Sequence, residues 1–125
     1  DVTIVAVGRM VQQSLEAATA LGKDGISCEV VDLRTTSPLD EDTILESVEN
    51  TGRLVVVDEA TPRCSIATDI SALVAQKAFG ELKAPIEMVT APHTPVPFSG
   101  TLEDSYVPSP EKIVSAVKKV SEYTK

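Results

Sequence analysis

The chain is poor in soft metal ligands: two cysteines and one histidine in 125 residues. Cys28 and Cys64 stand far apart with no metal-ligand spacing, so a zinc site is excluded, and both read as reduced thiols of a cytoplasmic protein. Basic residues are also scarce, 11 against 19 acidic ones for a formal charge of −8. That balance argues against a nucleic-acid groove and against attraction to anionic membranes; an acidic surface prefers basic partners. No apolar run approaches the roughly 20 residues that span a bilayer. Phosphate cradles are missing too. "AVGRMVQQS" carries one glycine where a dinucleotide fingerprint needs three, and Gly-Lys-Ser/Thr occurs nowhere. The opening "DVTIVAVG" has no basic start or signal-like segment, begins without methionine and is already strand-like by Val2, as a domain excised from a longer polypeptide would be.

What is present is alternation. Runs rich in β-branched residues occupy 2–7 ("VTIVAV"), 28–33 ("CEVVDL"), 54–59 ("LVVVDE") and 85–90 ("PIEMVT"). Continuous apolar runs suit strands covered on both faces. Between and after them lie helical stripes: Val11, Leu15, Ala18 and Leu21; Ile44, Leu45 and Val48; Ile66, Ile70, Leu73 and Val74; Ile113, Val117 and Val120. Ser37 with Pro38, or Asp40, can open the second helix; Ser109 with Pro110 opens the last, and Gly22 to Gly25 closes the first. A βαβαβαβα pattern implies right-handed crossovers, a parallel sheet and helices on both faces. The expected spatial order is second, first, third, fourth strand, in one domain covering 1–125.

In such a sheet, ligands gather at the carboxyl ends of the strands. There the sequence places Gly8 and Arg9, then Arg34, then Asp58 and Glu59, then His93 within "VTAPHTPVPFSG". Arg34 is expected to reach across Gly8 to Asp58 or Glu59 as a structural ion pair. Cys64, where a helix begins, and His93 could together serve a small self-contained enzyme, Cys64 as nucleophile. Asp58 stands where a phospho-accepting receiver carries its aspartate, but "GRMV" lacks the acidic pair that would hold magnesium. Pro92, Pro95 and Pro97 predict a stiff extended crossing, suited to pressing His93, Pro95 and Phe98 against another domain or subunit.

"VVDLRTTSPLDEDTILESVENTGRLVVVDEA", "PRCSIATDI" and "APIEMVTAPHTPVPFSGTLEDSYVPSPEKIVSAVKKV" resemble the carboxy-terminal domain of the beta subunit of thiamine-diphosphate-dependent 2-oxo acid dehydrogenases, within which acetoin and pyruvate dehydrogenase forms are nearest. The domain is similar to the last domain of transketolase. The resemblance implies a three-layer α/β/α sandwich with a mostly parallel sheet. It also implies an additional antiparallel first strand, which is missing here and would leave an uncovered edge beside the second strand. The whole enzyme would be an oxidoreductase using thiamine diphosphate and magnesium, on pyruvate, a branched-chain 2-oxo acid or acetoin. This chain would hold no cofactor, no metal and no catalytic residue. Its implied partners are its own amino-terminal domain, the alpha subunit, a second beta subunit in an alpha-two beta-two tetramer, and the basic subunit-binding domain of the acyltransferase. Glu81, Glu87 and Tyr123, with Glu103 and Asp104 from a twofold-related copy, are the expected docking residues, with Phe79 beside Tyr123 and Lys83 interrupting the acids.

Overall fold

The computed structural model describes residues 1–124, and its elements follow the β-branched runs and apolar stripes of the sequence. In chain order they are β1 (Val2–Val7), α1 (Arg9–Lys23), β2 (Cys28–Leu33), α2 (Glu41–Thr51), β3 (Leu54–Val57), α3 (Ile66–Lys77), a 3-10 turn (Phe79–Glu81), β4 (Glu87–Val89), α4 (Gly100–Tyr106) and α5 (Pro110–Ser121). The four strands form one parallel sheet in the order β2-β1-β3-β4, the expected order.

Strand alternation sorts the core into two halves. Val2, Ile4 and Ala6 of β1 face α1 and α5, packing with Met10, Leu21, Ile113 and Val117. Val5 faces the other way, toward Ile44 and Val48 of α2 and Ile70 and Val74 of α3. The faces follow from this strand order together with crossover handedness. The crossover from β1 to β2 and the crossover from β2 to β3 run in opposite directions along the sheet, so right-handed connections put α1 and α2 on opposite faces. The result is the three-layer α/β/α sandwich. Among the described residues β2 pairs only with β1, leaving its outer edge uncovered.

One polar knot interrupts the apolar layer. Thr3 Oγ1 lies 2.7 Å from Ser47 Oγ and 2.8 Å from Thr51 Oγ1, and Ser47 Oγ donates to Glu29 Oε2 at 2.6 Å. Ser47 and Thr51 are one helical turn apart, and Thr3 is the register partner of Glu29. Together they pin α2 over the amino ends of β1 and β2.

Several sequence expectations change. The stripe of α1 is rotated by one position: Met10, Ser14, Ala17 and Leu21 are buried, while Leu15 is largely exposed. Small and polar Ser14 hid the true spacing. β3 and β4 are shorter than 54–59 and 85–90, although Asp58 N still donates to Val89 O at 3.0 Å and Ala91 N to Ala60 O at 3.0 Å. α4 was not anticipated, because seven residues are too few to show a stripe. The proline segment is not uniformly extended. Thr94 N donates to Pro92 O at 2.8 Å, closing a tight turn centred on His93.

The local caps behave as the sequence indicates. Ser109 caps α5, and Asp40 caps α2, accepting from Thr43 N at 3.2 Å and from Thr43 Oγ1 at 2.7 Å. These bonds, the hydroxyl first and the amide second, hold the Asp40 carboxyl below the usual aspartate range. A folded-state pKa below the unfolded value of about 3.9 means that folding favours the carboxylate, so the cap contributes fully above that value and is lost as pH falls through the folded one. Asp40→Ala should therefore lower the melting temperature at neutral pH, and the gap to wild type should close in strong acid. Thermal melts across that range check both parts, and a gap that persisted in acid would show that the cap does not act through its charge.

Candidate docking surfaces at the two ends of the sheet

At the carboxyl rim, Gly8 joins β1 to α1 with φ 60° and has open space where a Cβ would lie. Arg34 does not cross it. Its Nε pairs with Asp32 Oδ2 at 2.7 Å, its side chain is 87% exposed, and among the described residues no ion pair joins it to Asp58 or Glu59. The expected pair is thus corrected, and the reason is geometric. Asp32 lies on the edge strand β2 and Arg34 just beyond its end, so the exposed arginine folds back onto the nearby Asp32 carboxylate at the solvent boundary. Asp58 is buried and accepts from Ala60 N at 3.1 Å, turning the chain after β3, while Glu59 is exposed.

Cys64, with φ 51°, and His93 are both exposed, and no hydrogen bond joins them. A nucleophile and its base need to be within hydrogen-bond reach, so the rim does not assemble that pair. Among the described residues no group of three or more His, Cys, Asp or Glu side chains could hold a metal ion.

Beyond β4 the rim is apolar. Val96, Phe98 and Leu102 are exposed, Phe98 completely, beside exposed His93 and Pro95. Buried Tyr106 donates its hydroxyl to Thr94 O at 3.2 Å, tying α4 to the proline segment. Glu103 and Asp104 are exposed on α4. They lie at the opposite end of the sheet from Glu81 and Glu87, so one chain does not bring these four carboxylates together.

The amino-terminal edge holds a second surface. α3 ends here at Lys77 and α5 ends here at Ser121, and the chain between α3 and β4 folds into the 3-10 turn. Ala75, Phe79, Leu82, Pro85, Ile86 and Tyr123 line a groove of about 490 Å³. Phe79 is 74% exposed and Tyr123 42%. Glu81 is exposed at the end of the turn that carries Phe79. Lys83 is drawn away: its methylenes cover Gly52 and its Nζ sits 3.5 Å from Thr51 O. Arg53 Nε takes the Val120 carbonyl at 3.0 Å, so part of the end of α5 is already capped.

Glu87, expected among the docking residues, already has an ion-pair partner within the chain. Its Oε1 contacts Lys119 Nζ at 2.6 Å, with the Glu87 side chain 26% exposed and Lys119 69%. Sequence reasoning missed Lys119, and also Leu82 and Ile86 in the groove.

Residues 1–113 match the family model described as "Transketolase, C-terminal domain". Among curated proteins, the chain is 71% identical over 119 residues to the "Acetoin:2,6-dichlorophenolindophenol oxidoreductase subunit beta" of Cupriavidus necator, covering 95% of this chain and 35% of that protein. It is 47% identical over 123 residues to the "Pyruvate dehydrogenase E1 component subunit beta" of Bacillus subtilis, covering 98% of this chain and 38% of that one. Among solved structures, "Split gene transketolase, inactive beta4 tetramer" superposes with a TM-score of 0.82 at 29% identity, over 96% of this chain and 38% of that chain. The chain therefore spans little more than a third of the length of these relatives.

Proposed function

The chain belongs to the transketolase C-terminal domain family, and on that premise we propose that it is the assembly and partner-docking domain of the beta subunit of a thiamine-diphosphate-dependent acetoin or 2-oxo acid dehydrogenase. The observation that carries this reading is the pair of exposed apolar surfaces at opposite ends of one sheet, around Phe98 and around Phe79 and Tyr123. Exposed aromatic patches with polar rims suit partners better than solvent. The whole enzyme would cleave acetoin or decarboxylate a 2-oxo acid and pass the acyl group to a lipoyl arm, with thiamine diphosphate and magnesium held outside this chain. The proposed setting is the cytoplasm; among the described residues no helix is long and apolar enough to cross a membrane.

The two surfaces take different partners in this reading. His93, Pro95, Phe98 and Leu102 meet the amino-terminal domain of the same subunit, the alpha subunit or a second beta subunit. The groove at the amino edge meets the basic subunit-binding domain of the acyltransferase, with Glu81 and Glu87 at its rim and Glu103 and Asp104 supplied by the twofold-related copy. Rim charges of this kind set association rate and salt sensitivity, whereas buried aromatic anchors set affinity.

The test is titration of the full beta subunit, in its tetramer, with the isolated subunit-binding domain. Glu81→Lys combined with Glu87→Lys should weaken binding by about tenfold at low salt and flatten the salt dependence. An unchanged affinity with an unchanged salt slope would remove this surface from the docking reading.

A further inference from the structure

The two apolar surfaces differ in shape. At the carboxyl rim the surface is a protrusion: from Pro92 to Ser105 no residue is buried, and the segment carries Val96, Phe98 and Leu102, with the Phe98 side chain wholly in solvent. Its two ends tie it down, through Ala91 N on Ala60 O at 3.0 Å and the Tyr106 hydroxyl on Thr94 O at 3.2 Å. At the amino edge the surface is a recess, the groove of about 490 Å³ walled by Phe79, Leu82, Ile86 and Tyr123. An apolar knob and an apolar hole thus stand at opposite ends of one chain.

The ends also differ in charge. Helices that follow strands of a parallel sheet run back against them, so their first turns gather at the carboxyl rim and their last turns at the amino edge. First turns carry Glu41, Asp42, Asp69 and Glu111, with Glu103 on α4 at the rim itself, while last turns carry Lys23, Lys77, Lys118 and Lys119. Glu41 and Lys77 cancel each other in an exposed pair at 2.8 Å. Among the described residues no ion pair neutralises Asp42, Asp69, Glu103, Asp104 or Glu111, so the rim is acidic, whereas the amino edge mixes its lysines with Glu81 and Glu122.

We propose that this chain binds a second copy of itself head to tail, with Phe98 and Leu102 of one copy seated in the groove of Phe79 and Tyr123 of the next. The inference goes beyond the docking reading and does not rest on it. Each surface holds one occupant at a time, so a docked partner and a second copy exclude one another. Charge selects this arrangement over rim-to-rim pairing, which would set Glu103 and Asp104 against their own copies; like charges brought together at an interface are costly. Head to tail, the same acids approach an edge that carries Lys118 and Lys119. Such a contact is heterologous, so every added copy still offers a free knob at one end or a free groove at the other, and growth does not stop at two chains.

Sedimentation equilibrium of the 125-residue chain, which holds both halves of its core, tests this with two variants. Phe98→Asp removes the knob, and Phe79→Ala with Tyr123→Ala removes the groove walls. All these side chains are exposed, so both variants should melt within a few degrees of wild type. Wild type should gain mass with concentration past two chains, less so in moderate salt. Each variant alone should remain monomeric where wild type is mostly associated. Mixed, they should form a one-to-one pair and nothing larger, because the intact groove of the first takes the intact Phe98 of the second. Wild type that stays monomeric at every concentration would overturn the proposal, as would a mixture of the variants that stays monomeric. A mass that saturates at two chains, with the groove variant still pairing, would assign the contact to Phe98 against Phe98 and overturn it too. None of these outcomes bears on titration with the subunit-binding domain, so the docking reading stands or falls separately.

Discussion

Replacing Gly52 with alanine should destabilise the chain by about 2–3 kcal/mol, lowering its melting temperature by about 10 °C for a domain of this size. Gly52 closes α2 in the left-handed region, φ 73° and ψ 7°, donating from its N–H to Val48 O at 2.7 Å. A Cβ on a residue held at that φ costs about 1–2 kcal/mol by itself. Space makes it worse here. The added carbon would lie 2.8 Å from Lys83 Cδ and 2.9 Å from the Glu81 carbonyl oxygen. The lysine can swing away, but the carbonyl belongs to the turn that carries Phe79, and Gly52 O also accepts from Lys83 N at 2.8 Å. The end of α2 and the wall of the groove are thus one packed unit, and Gly52→Ala should loosen docking as well as stability. Gly22 is the contrast. It lies inside α1 with open space where a Cβ would go, so Gly22→Ala should stabilise the chain by about 0.5–1 kcal/mol. Thermal and denaturant unfolding of both variants checks the pair. A Gly52→Ala chain melting within a degree of wild type would show that the Glu81 turn yields freely and is not braced by α2.

The other large effect is on binding. Phe79→Ala together with Tyr123→Ala should weaken association of the full subunit with the subunit-binding domain about 100-fold, mostly through faster dissociation. Both rings line the groove and both are exposed in this chain, so a partner that covers them gains apolar burial without disturbing the core. Exposed side chains contribute little to folding, and the double variant should melt within a few degrees of wild type. The kinetic split separates the two classes of residue. Loss of the rings should raise the dissociation rate at every salt concentration, while loss of the Glu81 and Glu87 charges should chiefly slow association at low salt. If binding stayed within twofold of wild type with both rings removed, the groove would not be the docking site, and attention would pass to the surface around Phe98.

Much of this architecture can be read from short stretches of chain. "VTIVAV", "CEVVDL" and "LVVVDE" announce strands buried on both faces because β-branched residues follow one another without polar alternation. Asp40 and Ser109 announce helix starts because a cap bonds to an amide three residues away. The strand order matches the expected one, and given that order the single hand of βαβ crossovers fixes which face each helix covers. Phe79 and Tyr123 could be placed together because α3 and α5 must both run back to the amino edge. The stripe of α1 was misread by one position, since buried Ser14 looks like a surface residue in a hydropathy pattern.

The pairings of charge follow a different rule. Arg34 has Asp32, Asp58 and Glu59 within plausible reach on paper, and only the exposure of the β2 edge and the burial of Asp58 under its own turn select Asp32. Glu87 is separated from Lys119 by the proline segment and α4, and their contact exists because α5 packs back against β4. The turn at His93, the short helix α4 and the seating of Lys83 over Gly52 are likewise products of neighbours distant in sequence. Periodicity, caps and crossover hand act within one strand or one turn, so the sequence by itself determined the layers and the family resemblance. Which carboxylates stand free for a partner depends on side chains meeting across the sheet to within a few ångströms, and that was decided only by tertiary packing.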